Sequence, residues 1–233
     1  MSAPEGRPRA VLTDIEGTTT SIAFVKEVLF PYARARVAGY VAAHRADAEV
    51  RRCLDDARAA SGDPAMSDDA VIALLLRWLD EDRKITPLKT LQGLVWAAGY
   101  ESGELKSHVY DDAVAALRAW HAAGLPLYVY SSGSVAAQRL LFGHTTHEDL
   151  TPLFSGYFDT TTGSKLEASS YRSISRSIGC LSGDILFLSD HAGELDAAAA
   201  AGMRTICLDR GEAQLPARIP HRRVSTFAAI DPL

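Results

Sequence analysis

The 233-residue chain contains only three cysteines, Cys53, Cys180 and Cys207, and no two of them form a Cys-x-x-Cys pair. Scattered cysteines in odd number argue against a disulfide framework or a zinc motif, so we interpret them as reduced thiols of a cytoplasmic protein. The sequence also lacks an apolar run long enough to span a bilayer, and residues 1–9 lack the apolar segment of a signal peptide. We therefore expect no membrane partner.

Positive charge is in deficit, since 24 Lys and Arg face 29 Asp and Glu and the net charge is −5. This balance disfavours nucleic acid as a partner, and the arginines near the C-terminus are too few to form a nucleic-acid patch. A phosphorylated small molecule is not excluded, because local cations and metal ions decide that binding. The hydrophobic content of 47% is ordinary for a globular protein. We expect a monomer with one large core and an insertion.

The chain is organised around a short apolar run, Ala10 to Leu12, that ends at two carboxylates, Asp14 and Glu16, and then at Gly17. This pattern is typical of a buried strand followed by a loop. In open α/β sheets, ligands bind at the carboxyl ends of strands. Two carboxylates placed there repel each other and lose water, so they need a cation, and Mg²⁺ suits them because it takes oxygen ligands. Taken alone, an Asp at a strand end is more often a turn cap.

The remaining pattern predicts two regions of different kind. Residues 21–107 contain no convincing strand. The pattern predicts helix over 21–45, which Pro31 breaks or kinks near Phe30, and an exposed helix from 46. Further helices are predicted from an N-cap at Ser67 and over 86–99. Beyond them, a helix capped by Asp111 or Asp112 is followed by strands at 125–130, 157–159, 185–190, 204–208 and 224–230, with helices between them. We predict an α/β fold with a Rossmann-like parallel sheet, a core domain of 1–20 and 108–233, and an all-helical insertion of 21–107.

Polar groups suited to phosphate follow two further predicted strands. Ser131 and Ser132 end one strand, and Gly133 stands at a helix start, where a hydroxyl and backbone N–H groups can cradle a phosphate. Asp190 ends another strand. Lys165 lies between them in a Gly-Ser-Lys turn, where its point charge can neutralise a phosphate. Each residue also has a plain structural interpretation as a cap, a turn residue or a solvated charge, but their joint occurrence at strand ends favours phosphoryl transfer.

These residues resemble, in order, the four motifs of the haloacid dehalogenase superfamily: Asp14-x-Glu16-Gly17-Thr18, Ser131-Ser132, Lys165 and Asp190-x-x-x-Glu194. A closer resemblance, to the bifunctional enolase-phosphatases of methionine salvage, rests on Asp14–Thr20, Phe24–Lys26, Leu29–Tyr32, Asp82–Lys84, Leu91–Gly93, Tyr130–Ser134, Leu141–His144 and Phe158–Asp159. It extends from about Val11 to Leu208. The most specific position is Glu16, because the phosphatases of the superfamily usually carry a second Asp there.

The resemblance implies a haloacid dehalogenase-type core with a helical cap inserted after the first strand, and one Mg²⁺ per chain. The implied substrate is a small phosphorylated diketone, 2,3-diketo-5-methylthiopentyl-1-phosphate, converted to 1,2-dihydroxy-3-keto-5-methylthiopentene and phosphate. The implied roles are catalysis by Asp14, Glu16 and Lys165, substrate binding by Ser131, Ser132, Gly133 and Lys165, and metal binding by Asp14, Glu16 and Asp190, with Glu194 acting on the metal through water. Candidate cap contacts to the methylthio tail are Arg83, Lys84, Gln92 and Trp96, although packing inside the cap explains an aromatic such as Trp96 equally well.

The base that removes a proton during enolisation is not identified by any motif. We hypothesise that Glu16 serves as a shared acid and base, because its side chain reaches further from the phosphorus than an Asp would. Three other functions remain open from the sequence: a sugar-phosphate phosphatase of the same superfamily, a carbon–halogen hydrolase that needs no metal, and a non-catalytic binding protein on the same scaffold.

Overall fold

The computed structural model describes residues 6–81, 83 and 85–232. The chain divides into two compact units, one made of residues up to 22 together with 107–233, and one made of 23–106. The first contains the sheet and the second is helical. The roles of catalytic core and cap remain predictions. Within the described residues, none of the helices combines the length and apolar character needed to cross a membrane.

A parallel sheet forms the centre of the first unit. Its six strands in the described part of the chain are β1 (Ala10–Thr13), β2 (Leu127–Tyr130), β3 (Gly156–Phe158), β4 (Ile185–Ser189), β5 (Arg204–Leu208) and β6 (Arg222–Val224). They are arranged in the order β3-β2-β1-β4-β5-β6, and all neighbours are parallel. The predicted α/β class is confirmed. Because the chain crosses from one side of β1 to the other between β3 and β4, the topological switch point lies at the carboxyl ends of β1 and β4.

The second unit consists of helices. They are α1 (Ile22–Phe24), a π-helical turn (Val25–Leu29), α2 (Phe30–Ala43), α3 (Ala48–Ser61), α4 (Asp68–Asp80) and α5 (Thr86–Glu101), with α1 beginning at the boundary of the two units. The helical backbone is not broken at Pro31, since Leu29 before α2 has helical backbone angles, but the helix type changes near Phe30, where the π-helical turn ends and α2 begins. Pro31 lies in the first turn of α2. The π-helical turn directly before it accommodates the change in backbone hydrogen bonding.

Packing inside the helical unit corrects one prediction and confirms another. The segment from 46, predicted to be exposed, buries Val50, Cys53, Leu54 and Ala57 of α3 against the other helices. Its apolar residues recur at helical spacing among many charges, and this spacing gives the helix a buried side. The N-cap prediction is confirmed, since the Ser67 hydroxyl accepts a hydrogen bond from the Ala70 N–H at 3.3 Å.

Gly99 was expected to end a helix, but α5 continues through it to Glu101. A Cβ at Gly99 would lie 2.5 Å from the hydroxyl oxygen of Tyr32 on α2. The glycine is therefore required for the close approach of the tyrosine rather than for a stop. Prediction from the sequence takes into account only the low helix propensity of glycine. It cannot include the contact with Tyr32, because the two residues are far apart in the chain.

The helices of the first unit cover both faces of the sheet. They are α6 (Asp111–Ala122), α7 (Val135–Gly143), α8 (Ala168–Ile178) and α9 (Ala192–Ala200). Val11 belongs to the apolar core on one face and Leu12 to the core on the other, as expected for neighbouring residues of a strand. The strand predicted at 224–230 is wrong beyond Val224, because Phe227–Ala229 forms a short 3₁₀ turn that stacks Phe227 on Trp120 with ring centres 5.7 Å apart.

The prediction that Asp111 or Asp112 caps α6 is wrong. Both residues lie inside the first turn of the helix, and Tyr110 occupies the cap position. The Asp112 carboxylate instead accepts hydrogen bonds from the guanidinium of Arg210 at 3.1 Å and from the Thr226 hydroxyl at 2.6 Å. The backbone N–H of residue 227 donates a further bond to it at 2.7 Å. The carboxylate thus joins α6 to the segment after β5 and to the C-terminal segment.

We expect Asp112→Asn to destabilise the protein at neutral pH by about 1–3 kcal/mol, the range for hydrogen bonds to a charged group. Burial raises the pKa of Asp112, but the contacts with Arg210, Thr226 and the N–H of residue 227 outweigh it and bring the pKa below the usual value. A carboxylate with a lowered pKa contributes stability above its unfolded pKa of about 4, and that contribution is lost as the pH falls through the folded pKa. Urea unfolding at pH 7 and at pH 3.5 should therefore show a gap in unfolding free energy between wild type and variant that is smaller at the lower pH.

Asp111→Asn is the matched control, since its carboxylate is exposed in the same helical turn. We expect it to change stability by less than about 0.5 kcal/mol. An Asp112→Asn variant as stable as wild type at pH 7 would contradict the role that we assign to this carboxylate.

Candidate active site

The candidate site lies where three adjacent strands end. Thr13 of β1 pairs with Val129 of β2 on one side and with Leu188 of β4 on the other. The residues that follow these strands, among them Asp14, Ser131 and Asp190, are therefore brought to the same edge of the sheet, with neighbouring strands about 4.8 Å apart. This edge is the switch point of the sheet, the position at which open α/β folds bind ligands.

Lys165 joins two carboxylates at this edge. Its Nζ donates to Oδ1 of Asp14 at 2.5 Å and lies 2.8 Å from Oε2 of Glu194. The three side chains are nearly withdrawn from solvent, with exposed fractions of 9%, 8% and 12% for Lys165, Asp14 and Glu194. Glu194 also accepts a hydrogen bond from the Ser189 hydroxyl at 3.0 Å. The plain interpretation of Lys165 as a solvated loop charge is thus incompatible with the structure.

The site contains more acidic side chains than basic ones. Burial alone would lower the pKa of Lys165, but the charges of Asp14 and Glu194 raise it above its usual value, so the ammonium stays protonated. Burial, with the Asp14 charge, raises the pKa of Glu194. The same two causes raise the pKa of Asp190 to about 7. One lysine therefore faces three crowded carboxylates, an arrangement that favours a further cation.

The loop after β1 holds Asp190 in place. The Thr18 hydroxyl accepts a hydrogen bond from the Asp190 N–H at 3.0 Å, and the Thr18 carbonyl accepts one from Arg210 at 2.9 Å. Gly17 has a φ of +68°, and a Cβ added to it would lie 2.0 Å from Oδ2 of Asp190. Sequence reasoning missed the roles of Thr18 and Arg210, because neither contact has a local signature.

The donors at this edge fit a hard cation such as Mg²⁺, which prefers oxygen ligands. Among the described residues, no group of three or more His, Cys, Asp or Glu side chains is arranged to hold a metal ion. A metal would thus rely on the carboxylates of Asp14 and Asp190 together with backbone oxygen and solvent. The side chain of Glu16 is exposed. Metal binding by Glu16, through its carbonyl or its side chain, stays a prediction.

The segment after β2 already uses several of its donors. Ser131 is buried, and its hydroxyl accepts a hydrogen bond from the Gly133 N–H at 3.2 Å, whereas Ser132 is exposed. In the first turn of α7, the N–H of Ala137 donates to Ser134 and the N–H of residue 135 donates to a carboxylate oxygen of residue 159. A phosphate-binding site made by Ser131, Ser132 and Gly133 stays a prediction. It requires the Gly133 N–H to give up its hydrogen bond to the Ser131 hydroxyl and to donate to a phosphate oxygen instead.

The predicted contacts to the methylthio tail belong to the helical unit. Gln92 is buried, and Trp96 donates from Nε1 to the Leu29 carbonyl at 2.9 Å. The guanidinium of Arg83 lies 5.0 Å from the ring centre of Trp78. These contacts support packing roles inside the unit. Lys84, and the Asp82 of the same motif, lie outside the described residues.

Comparison with known proteins identifies a family that the chain matches over most of its length. The family model of haloacid dehalogenase-like hydrolases matches residues 8–202. A protein of Methylococcus capsulatus named Enolase-phosphatase E1 is 61% identical over 202 residues, covering 87% of this chain and 89% of that protein. A protein of the same name from Parvibaculum lavamentivorans is 54% identical, covering 96% of this chain and 94% of that protein.

Solved structures agree with this result. The crystal structure of the UTR4 protein from Saccharomyces cerevisiae superimposes with a TM-score of 0.81 at 37% identity, covering 96% of this chain and 100% of that chain. CbbY from Rhodobacter sphaeroides in complex with phosphate gives a TM-score of 0.59 at 18% identity, covering 95% of this chain and 96% of that chain. At that identity the second likeness supports the fold alone.

Proposed function

The chain belongs to the enolase-phosphatase family of the haloacid dehalogenase-like hydrolases, and from that membership we propose that it catalyses the acireductone-forming step of methionine salvage. The substrate is 2,3-diketo-5-methylthiopentyl-1-phosphate, which is enolised and then dephosphorylated to 1,2-dihydroxy-3-keto-5-methylthiopentene. The observation that carries the proposal is the buried contact of Lys165 with Asp14, beside Asp190, at the switch point of the sheet.

Asp14 is the nucleophile in the phosphatase step that we propose. One of its carboxylate oxygens attacks phosphorus, the bond from phosphorus to the ester oxygen breaks, and an aspartyl-phosphate forms. The displaced enolate oxygen takes a proton from solvent and leaves as the hydroxyl of the product. Water then attacks that intermediate, releases phosphate and restores the carboxylate. Lys165 keeps Asp14 in a single orientation through its 2.5 Å contact and brings positive charge to the phosphoryl group.

Asp14 and Asp190 would hold the Mg²⁺, with Glu16 contributing through its carbonyl or side chain. When bound, the ion would neutralise charge on the phosphoryl oxygens. Glu194 keeps Lys165 in position by accepting its second hydrogen bond, and its own orientation is set by Ser189. We propose that Ser131, Ser132 and Gly133 bind the phosphate from the carboxyl end of the neighbouring strand β2.

The proton of the enolisation step moves through Glu16 in our proposal. Glu16 is exposed and belongs to the loop that begins at Asp14, a position that supports a role beside the substrate carbon that bears the phosphate ester. It takes a proton from that carbon and, as an acid, returns one to a substrate oxygen. We expect Glu16→Gln to lower turnover of the diketone phosphate by about 10²–10⁴-fold, the usual contribution of an acid–base group.

The measurement compares two substrates, the diketone phosphate and p-nitrophenyl phosphate, which needs no enolisation. Glu16→Asp is the control, because it retains a carboxylate with a shorter reach. We expect it to retain more activity on p-nitrophenyl phosphate than on the diketone. Wild-type rates of enol formation and phosphate release in Glu16→Gln would refute the assignment.

The division of labour between the two units also belongs to the proposal. We assign catalysis to residues 1–20 and 108–233, and the role of a cap to the helical residues 21–107. We further propose that the protein is a monomer and that it is located in the cytoplasm. Size-exclusion chromatography at micromolar concentration tests the monomeric state.

The function itself is tested by following phosphate release and the ultraviolet absorbance of the enol together, with Mg²⁺ present. We expect both signals from one protein and their loss on addition of EDTA. Inertness toward this compound, with turnover of simple sugar phosphates, would preserve the phosphatase and overturn the methionine-salvage assignment. Activity that survives EDTA would instead favour a metal-free hydrolase.

A further inference from the structure

The loop that carries Lys165 is held by an unusual set of side chains. Residues 163–165 lie between β3 and α8 and belong to no helix or strand. The Tyr130 hydroxyl donates to the carbonyl of Gly163 at 2.9 Å, and the Tyr171 hydroxyl donates to the carbonyl of Lys165 at 2.8 Å. The Ser170 hydroxyl donates to the carbonyl between them at 2.7 Å. Three successive carbonyls of one loop are thus each bonded to a side-chain hydroxyl.

All three hydroxyl-bearing residues are buried in rigid elements. Tyr130 is the last residue of β2, and Ser170 and Tyr171 lie in the first turns of α8. Their exposed fractions are 0%, 1% and 0%. The rings of Tyr130 and Tyr171 meet edge to face with centres 5.5 Å apart. Such residues cannot easily change rotamer, so the positions of their hydroxyl oxygens are determined by the packing of the core.

Gly163 leaves the space that the hydrogen bond from Ser170 to the loop requires. It has a φ of +142°, which side-chain-bearing residues rarely adopt, and a Cβ there would lie 2.3 Å from the Ser170 hydroxyl oxygen. The bare Cα of the glycine therefore allows Ser170 to reach the next carbonyl.

From this geometry we propose that Tyr130, Ser170 and Tyr171 are positioning residues that set the location of the Lys165 ammonium relative to Asp14. The inference rests on the proposed phosphatase function and deepens it. The Lys165 side chain must place Nζ within hydrogen-bond distance of two carboxylates at once, and its Cα lies on a loop without ladder hydrogen bonds. The three hydroxyls, which we call the hydroxyl clamp, supply the missing constraint. Tyr130 ties the loop to β2, the strand next to the one that ends at Asp14.

Tyr→Phe substitutions test the clamp, because each removes one hydroxyl and keeps the buried ring. Small displacements of a catalytic group are costly, so we expect Tyr171→Phe to lower kcat/KM by about tenfold and Tyr130→Phe with Tyr171→Phe together by about 100-fold. The affinity for inorganic phosphate in the presence of Mg²⁺, measured by calorimetry, should weaken in parallel. A merely structural hydroxyl would lower the melting temperature and leave both quantities unchanged in the folded protein.

Tyr157→Phe is the matched control. Its hydroxyl is buried and has no hydrogen-bond partner in the described part of the chain, so its removal deletes a similar atom without deleting a contact to the lysine loop. We expect wild-type kcat/KM and phosphate affinity for this variant. Equal effects of Tyr157→Phe and Tyr171→Phe, or wild-type kinetics and phosphate affinity for Tyr171→Phe, would overturn the proposal.

A double-mutant cycle asks whether the clamp acts through the lysine. In a Lys165→Gln background, Tyr171→Phe should cause less than about a twofold further loss of phosphate affinity, because coupled residues are not additive. A full further tenfold loss would show that Tyr171 acts by another route. If Lys165→Gln does not fold, the comparison with Tyr157→Phe decides alone. Failure of the methionine-salvage assignment is separate, since it would appear as an inert diketone with phosphate binding intact.

Discussion

Asp14→Asn is expected to give a folded protein whose kcat on the diketone phosphate is lower by at least about 10³-fold, because an amide cannot form the aspartyl-phosphate. The loss should fall on kcat more than on KM, since the residues that we propose to bind the phosphate, Lys165, Ser131 and Ser132, are unchanged. p-Nitrophenyl phosphate should be affected equally, because the nucleophile serves every phosphoester.

Stability measurements separate this result from misfolding. The Asp14 charge contributes to the raised pKa values of Asp190 and Glu194, so its removal relieves repulsion in the metal-free protein. The same change deletes the ion pair with Lys165, which acts in the opposite direction. We therefore expect the melting temperature of Asp14→Asn without Mg²⁺ to stay close to that of wild type at pH 7.5. Asp196→Asn, a change at a side chain that is 63% exposed and bonded to His221, serves as the control with unaltered kcat. Residual turnover above about 10% of wild type in Asp14→Asn would contradict the nucleophile assignment.

Gly17→Ala is expected to cause the second large loss, about 10²-fold in kcat/KM, through displacement of Asp190. The added Cβ would lie 2.0 Å from the Asp190 carboxylate oxygen and 2.5 Å from its carboxyl carbon. The backbone determines the position of a Cβ, so rotation of the alanine side chain cannot relieve the collision. Since the backbone N–H of Asp190 is bonded to Thr18, we expect the collision to be relieved by rotation of the Asp190 carboxylate away from its position at the strand end. We expect the rise in melting temperature produced by Mg²⁺ in wild type to be smaller in this variant.

Gly179→Ala is the matched control for backbone strain. Gly179 has a φ of +73°, close to the +68° of Gly17, but no atom lies within 4 Å of its hypothetical Cβ. We expect this variant to lose about 1 kcal/mol of stability and to keep its activity and its response to Mg²⁺. If Gly179→Ala impaired activity as strongly as Gly17→Ala, strain in the fold rather than collision with Asp190 would be the cause.

The sequence alone determined the class of fold and the positions of several strands. Alternating apolar runs and turn signals depend on neighbouring residues, so β1, β4 and β5 and the cap at Ser67 could be predicted locally. The order of Asp14, Ser131, Lys165 and Asp190 along the chain also indicated phosphoryl transfer, because parallel strands bring their carboxyl ends to one edge.

Only the tertiary structure decided which of these groups contact one another. Lys165 meets Asp14 across 151 positions, and Thr18 meets Asp190 across 172. Any lysine or hydroxyl has the chemistry for such contacts, and distance along the chain carries no information about distance in space.

The same reason explains the predictions that were wrong. The sequence predicts a helix end at Gly99, but the glycine instead leaves room for the side chain of Tyr32. It predicts a helix cap at Asp112, but that carboxylate binds Arg210. The hydroxyl clamp escaped prediction because Tyr130 and Tyr171 look like ordinary core residues in the sequence. Local propensity specifies secondary structure to a first approximation, whereas the partner of a buried polar group depends on the packing of the whole unit.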